Sequence, residues 1–397
     1  MKSSRRCFKL ILLDTFLDKL NSMSPNRFYC HLGFSLLLLA TTAFVVLPVA
    51  SAVGQTKSPL TIKKRPNQPQ PKTPPKRTTP RQAPSNSATG TGASPRTNQE
   101  KLEIPEPEEV VLETSDGVKL TTTYFKPAVA EGDQAKAIPF ILLHDWEGDR
   151  TQLLKYGAFL QSAGHAVIVP DLRGHGDSTA VAGLAKPIDA KKFRKKEVAS
   201  VLEDVERCKK YLVKRNNEGE VNIDMLSVVA VGKTSVLAVE WVVNDWYAFP
   251  PYNAKGIKQG KDVKSLILIS PRKKLEGLSL IANWKNSPYS AVNGDTIPLM
   301  IVWGSGDDEA AKDSESLFKL AKKSRPDPEE IEDPKKREEA TTLAGVPVRG
   351  NRSTGVQLMI QPRAKGLWGY TEKFVSKKME ANADSMPWKS RQKDEKK

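Results

Sequence analysis

The sequence predicts an α/β protein built on an open, mostly parallel sheet with helices on both faces and no large lid. Three observations carry this. Short, continuous apolar runs such as Ile138–His144 and Leu226–Val231 have the length and composition of strands buried on both sides. Segments with apolar residues at helical spacing alternate with these runs. A hairpin signal precedes the first of them, and a hairpin followed by repeating strand–helix units leaves few topologies open.

Taken in order, Val110–Glu113 and Val118–Phe125 flank Ser115-Asp116-Gly117, a turn signal, and read as an antiparallel pair. Ile138–His144 is the next strand. Thr151–Ser162 sets Leu153, Leu154, Ala158 and Phe159 on one side and stops at Gly164, a helix with its terminator. Ala166–Pro170 is a strand. Glu197–Lys214 repeats Val198, Val201, Leu202, Val205 and Leu212 at helical spacing. Leu226–Val231, Val263–Ser270 and Pro298–Trp303 read as strands, with Ser235–Tyr247 and Asp308–Lys323 as helices. Gly355–Gln361 reads as the final strand, and residues 324–350 as a charged insertion ahead of it. Only about 25 residues separate Ser270 from the next strand, too few for a large lid. Ligands on such sheets bind at the carboxyl ends of the strands.

The organisation follows from composition. Leu32–Ala50 is uncharged, basic residues precede it, and Ala50-Ser51-Ala52 follows as a small-x-small site. Residues 1–52 therefore read as a secretory signal, with an uncleaved membrane anchor as the alternative. Residues 53–105 hold ten prolines and no aromatic side chain, the composition of a spacer that cannot bury a core. Residues 376–397 read as a basic disordered tail, which leaves 106–375 as the folded domain. The chain carries +16 overall, yet this domain carries only +1. The charge lies in the appendages, so it is weak evidence for a nucleic-acid-binding fold; the appendages read either as contacts to an anionic envelope or membrane surface or as a spacer kept soluble by its charge. Only Cys208 lies beyond residue 30, so neither a disulfide nor a cysteine zinc cluster is expected. No metal or cofactor is expected.

The most specific stretch is Asp171-Leu172-Arg173-Gly174-His175-Gly176-Asp177-Ser178 behind Val167–Pro170. Asp171 and Arg173 could pair across the tight loop, and His175 reads as a loop histidine. This stretch resembles the D-x-R-G-x-G-x-S strand exit of the α/β-hydrolase superfamily, in particular its lidless esterase, dienelactone-hydrolase-like and serine-aminopeptidase-like branches. The resemblance spans about residues 108–375 and implies a G-x-S-x-G nucleophile elbow after Leu226–Val231. The matching residues are Gly232-Lys233-Thr234-Ser235-Val236. That puts Thr234 at the nucleophile position, and Ser235, with Trp146, at the oxyanion-hole positions. A phosphate-binding reading of Gly232-Lys233-Thr234 fails because Ser227 stands where that motif needs glycine.

The acid implied by the resemblance is Asp307 in Trp303-Gly304-Ser305-Gly306-Asp307. The base should follow the final strand, and alignment on Gly369-Tyr370 puts Trp368 in its place. Indole has no basic lone pair. No histidine lies beyond His175, so no shift of register restores the base. His144 is the one candidate for a displaced base, although the family uses it to brace a loop. Asp145, with Glu147 near, would oppose an oxyanion if it pointed inward. Lys233, Arg272, Lys273, Arg363 and Lys365 follow strands at the ligand edge and could gather an anionic small or polymeric ligand. The reading is an exported, non-catalytic α/β-hydrolase-like protein with a binding or scaffold role at the cell envelope. The alternative is a weak or atypical ester or peptide hydrolase.

Overall fold

The computed structural model describes residues 103–392, apart from 250, 283, 285–286, 288, 290–295, 307 and 326. The signal or anchor, nearly all of the 53–105 spacer, residues 393–397 and Asp307 lie outside the described residues.

Eight strands form one sheet: β1 (Glu108–Glu113), β2 (Lys119–Phe125), β3 (Pro139–Leu143), β4 (Ala166–Pro170), β5 (Leu226–Val231), β6 (Val263–Ile269), β7 (Leu299–Gly304) and β8 (Leu343–Val348). Their spatial order is β1-β2-β4-β3-β5-β6-β7-β8. β2 runs antiparallel to both β1 and β4, and every other pair is parallel. Parallel neighbours need a crossover, and helices supply it on both faces.

The near-continuous apolar strands follow from this double covering. Strand side chains alternate faces. Ile141, Val228, Leu266 and Ile301 join one core with helices α2 (Leu202–Asn217), α3 (Ser235–Trp246) and α4 (Asp308–Lys323). Phe140, Val229, Ile267 and Met300 join the other with α1 (Leu154–Ser162) and α5 (Ala364–Ala381). Burying a polar group without a partner is costly, so both faces are mainly apolar, with small exceptions such as Ser227 and Ser265.

Two expectations are corrected here. The final strand is not Gly355–Gln361. It is β8, inside the segment read as a charged insertion, and it pairs with β7 from Leu343↔Leu299 to Val348↔Gly304. Residues Gln357–Ile360 form a helical turn that buries the adjacent pair Leu358 and Met359. As an edge strand, β8 tolerates Pro347, which has no N–H for a ladder on its open side. Nor does a tail begin at 376. Ser376–Ala381 completes α5, and the chain then packs along the amino ends of the strands. Met386 and Arg391 are buried there, with the Arg391 guanidinium 2.6 Å from Asp262 and 3.0 Å from Asp224. Asn216 and Asn222 donate to the Lys389 and Met386 carbonyls.

Candidate functional site

β5 ends on extended Val231, and the chain enters α3 through a short 3-10 segment, Gly232–Thr234. Gly232 is the left-handed residue of this turn, at φ +60°, whereas Thr234 (φ −63°) and Ser235 (φ −53°) are already helical. A nucleophile elbow puts the reactive side chain on the strained strand-to-helix residue and uses the N–H of the next residue as an oxyanion donor. By that geometry the nucleophile position is Gly232 and the donor is Lys233, two residues earlier than the sequence register. The Thr234 and Ser235 hydroxyls are instead fully buried, without a hydrogen-bond partner among the described residues.

The space above Gly232 is occupied. β3 exits into His144-Asp145-Trp146, and Asp145 turns inward. One carboxylate oxygen, Oδ1, accepts the Trp146 N–H at 2.7 Å and the Lys233 N–H at 3.0 Å. These are the two backbone donors, one from the β3 exit and one from the turn, that an oxyanion hole requires. Two glycines make the room. A Cβ on Gly232 would overlap the Asp145 carboxylate, and one on Gly355 (φ +53°) would stand 2.6 Å from Asp145 Oδ2. Burial pushes the Asp145 carboxyl pKa up, and Glu147 adds to this; the two N–H bonds and the Lys233 ammonium offset it in part.

The three described histidines, His144, His165 and His175, are each engaged with other groups. His144 is fully buried; its Nδ1 lies 2.7 Å from the Asp145 carbonyl and its Nε2 accepts the Leu172 N–H at 3.1 Å. Nε2 thus ties the β3 exit to the β4 exit while Nδ1 is held within the β3 exit, and burial drives the imidazole pKa down to about 4. His175 sits between the Arg173 and Trp146 carbonyls, bracing the same pair of loops. His165 lies elsewhere, against Glu372 and Ser376 of α5. The expected Asp171–Arg173 pair is corrected. Asp171 takes the Arg150 backbone N–H and guanidinium and the Asp177 N–H, whereas Arg173 pairs with Asp204 and Asp116.

Trp368 is not at the exit of the last strand. It lies within α5, buried against Tyr156 and Phe159, and its Nε1 donates to the Met359 carbonyl at 3.0 Å. With β8 placed, its exit is Arg349–Gly355, a segment without histidine. The loop before Asp307 is tied to this exit by the Gly306 N–H on the Asn351 carbonyl at 2.8 Å.

Much of the expected cationic rim is already matched by carboxylates. Lys233 pairs with Glu147, Arg272 with Glu309 and Asp313, and Lys273 with Asp313. Arg363 and Lys365 are exposed at the start of α5. Among the described residues, no group of three or more His, Cys, Asp or Glu side chains is placed to hold a metal ion.

No protein-family model matches the chain, and no curated protein sequence matches it. Among solved structures, it is similar to Thermogutta terrifontis esterase 2 at 18% identity, over 72% of this chain and 97% of that one, with a TM-score of 0.46. A Pyrococcus furiosus esterase aligns at 16% identity over 69% and 91% of the two chains, with a TM-score of 0.45. A dienelactone hydrolase from Anabaena variabilis aligns at 13% over 70% and 98%, with a TM-score of 0.43. On the strand order of its own sheet, with two antiparallel leading strands and helices on both faces, the chain carries the fold of the α/β-hydrolase superfamily.

Proposed function

We propose that this chain is a non-catalytic protein of the hydrolase fold that acts by binding, outside the cytoplasm at the cell envelope. The observation that supports the first part is the state of the strand-to-helix turn. Its strained residue is glycine, so it offers no nucleophile, and its two backbone donors are held by the carboxylate of Asp145. An acyl-transfer intermediate needs both a nucleophile and those donors at the same moment. His144 cannot take the missing base's part while both its nitrogens are engaged with backbone. The test is reaction of the full chain with a fluorophosphonate probe and an activated aryl ester. Labelling far below one equivalent and no saturable turnover are expected. Stoichiometric labelling at Thr234, Ser235 or Ser270, or saturable turnover abolished by Asp145→Ala, would overturn the reading.

The support for export is the uncharged Leu32–Ala50 run, with basic residues before it and Ala50-Ser51-Ala52 after it. N-terminal sequencing of protein from its native host is expected to begin at about Val53. A start at Met1 in the soluble cytoplasmic fraction would reject this part alone.

A further inference from the structure

The edge of the sheet carries a cleft that shares no lining residue with the strand-to-helix turn. It lies between β8 and α5 and has a volume of about 770 Å³, the size of a small-molecule site. β8 lends it Val346 and Val348, alternate residues on one face of the strand. α5 lends it Gly366, Leu367 and Tyr370, which stand on one helix face with Arg363 just ahead of them. Val346, Val348 and Leu367 are only partly buried against the second core, and Tyr370 is 54% exposed. The walls are therefore apolar surface that the chain itself leaves uncovered. Gly366 has no atom within 4 Å of the place its Cβ would take, so close packing does not call for glycine there.

The charge of this cleft differs from that of the matched lysines and arginine around the turn. Arg349, at the exit of β8, and Arg363 both line it, and neither makes a hydrogen bond or ion pair among the described residues. No acidic residue is among its described lining. Its polar amides are spent on each other, the Asn351 amide donating to Gln361 Oε1 at 3.0 Å. The two guanidiniums are thus the groups left to meet an anion. An added strand is a poor occupant. The carbonyls of Thr342 and Val348 accept from Leu299 and Ser305 on the β7 side, which leaves Gly345 and Pro347 facing outward. Pro347 has no N–H to offer, so the edge is blunted against further pairing.

We propose that this cleft binds a small organic carboxylic acid, an anion on an aryl or alkyl body. Arg349 and Arg363 hold the carboxylate, and Leu367, Tyr370 and the two valines cover the body. A planar guanidinium fork matches a planar carboxylate through two parallel N–H bonds, and guanidinium is weakly hydrated enough to work beside apolar surface. A bare inorganic anion would leave the apolar walls wet. The proposal gives a ligand class to the binding role inferred above, on which it rests, but at a separate site. Failure of that reading shows in probe labelling and ester turnover, and failure of this one in equilibrium binding.

The test is calorimetric titration of the full-length protein with 3-phenylpropionate, octanoate, neutral 3-phenylpropanamide and phenyl phosphate. Variants are Arg349→Gln, Arg363→Gln and Gly366→Leu, each checked for wild-type circular dichroism. The carboxylates are expected to bind saturably, with the amide about tenfold weaker or more. Each arginine variant should weaken the carboxylates by a similar factor. Gly366→Leu should abolish binding by filling the cleft while both arginines remain. Phenyl phosphate bound about tenfold tighter than 3-phenylpropionate would overturn the carboxylate assignment. No saturable binding of either carboxylate, or binding unchanged in the folded variants, overturns the proposal.

Discussion

At the scale of single residues, the Asp145 carboxylate fills the space above Gly232. Its Oδ1 satisfies two backbone N–H groups that would otherwise point into a cleft without an acceptor. Leaving such donors unpaired costs roughly 1–3 kcal/mol each, which gives the carboxylate a reason to stay where it is. Its neighbour His144 is held neutral by burial, and this has a consequence for stability. The imidazole's pKa falls from the ordinary 6.5 to about 4 in the folded chain. Below pH 6.5 the unfolded chain takes up a proton that the folded chain refuses, so stability is full above that pH and declines as pH falls toward 4. At about 1.4 kcal/mol per pH unit the loss reaches roughly 3 kcal/mol. Urea midpoints of the wild type and His144→Gln, compared from pH 7 to 4, should converge as pH falls. Parallel curves would show that His144 does not titrate this way.

At the scale of elements, the turn from β5 to α3 leaves room above Gly232 for the Asp145 carboxylate. Gly232 is needed twice over, once for its φ of +60° and once because a Cβ there would overlap Asp145. Gly232→Ala should therefore cost about 2–3 kcal/mol, the strain of a left-handed non-glycine residue plus the overlap. Asp145→Ala alone should cost about 2–6 kcal/mol by stripping two N–H groups of their acceptor. The two changes together should cost less than their sum, by roughly 1 kcal/mol or more, because the overlap vanishes with the carboxylate. Strict additivity in denaturant unfolding would mean that the carboxylate does not fill the space above Gly232. The element that the sequence hid is β8. Gly345 and Pro347 weaken its strand signal, and the charged, proline-containing stretch 324–342 between α4 and β8 reads as an insertion. With Gly355–Gln361 as the last strand Trp368 falls at the base position, whereas the exit of β8 is Arg349–Gly355.

For the whole molecule, the C-terminal segment changes role once the fold is known. Its lysines and arginine look like a solvated tail in sequence, and Arg391 instead closes onto Asp262 at the amino ends of the strands. Charge that composition assigns to an appendage thus pairs with an aspartate elsewhere in the chain. What the sequence determined was strands β1–β7, their alternation with helices up to α4, and the loop after β4. These follow from periodicity and from apolar runs, which are local properties that burial on two faces imposes on each strand. The sequence also flagged Asp145 as hostile to an oxyanion if it pointed inward. Only the tertiary structure decided that it does, that Gly232 and not Thr234 is the strained residue, and that Arg391 is a buried ion. Each of these depends on atoms far apart in the chain meeting in space. The Lys233 N–H and the Asp145 carboxylate are 88 residues apart, and no local pattern encodes the 3.0 Å between them.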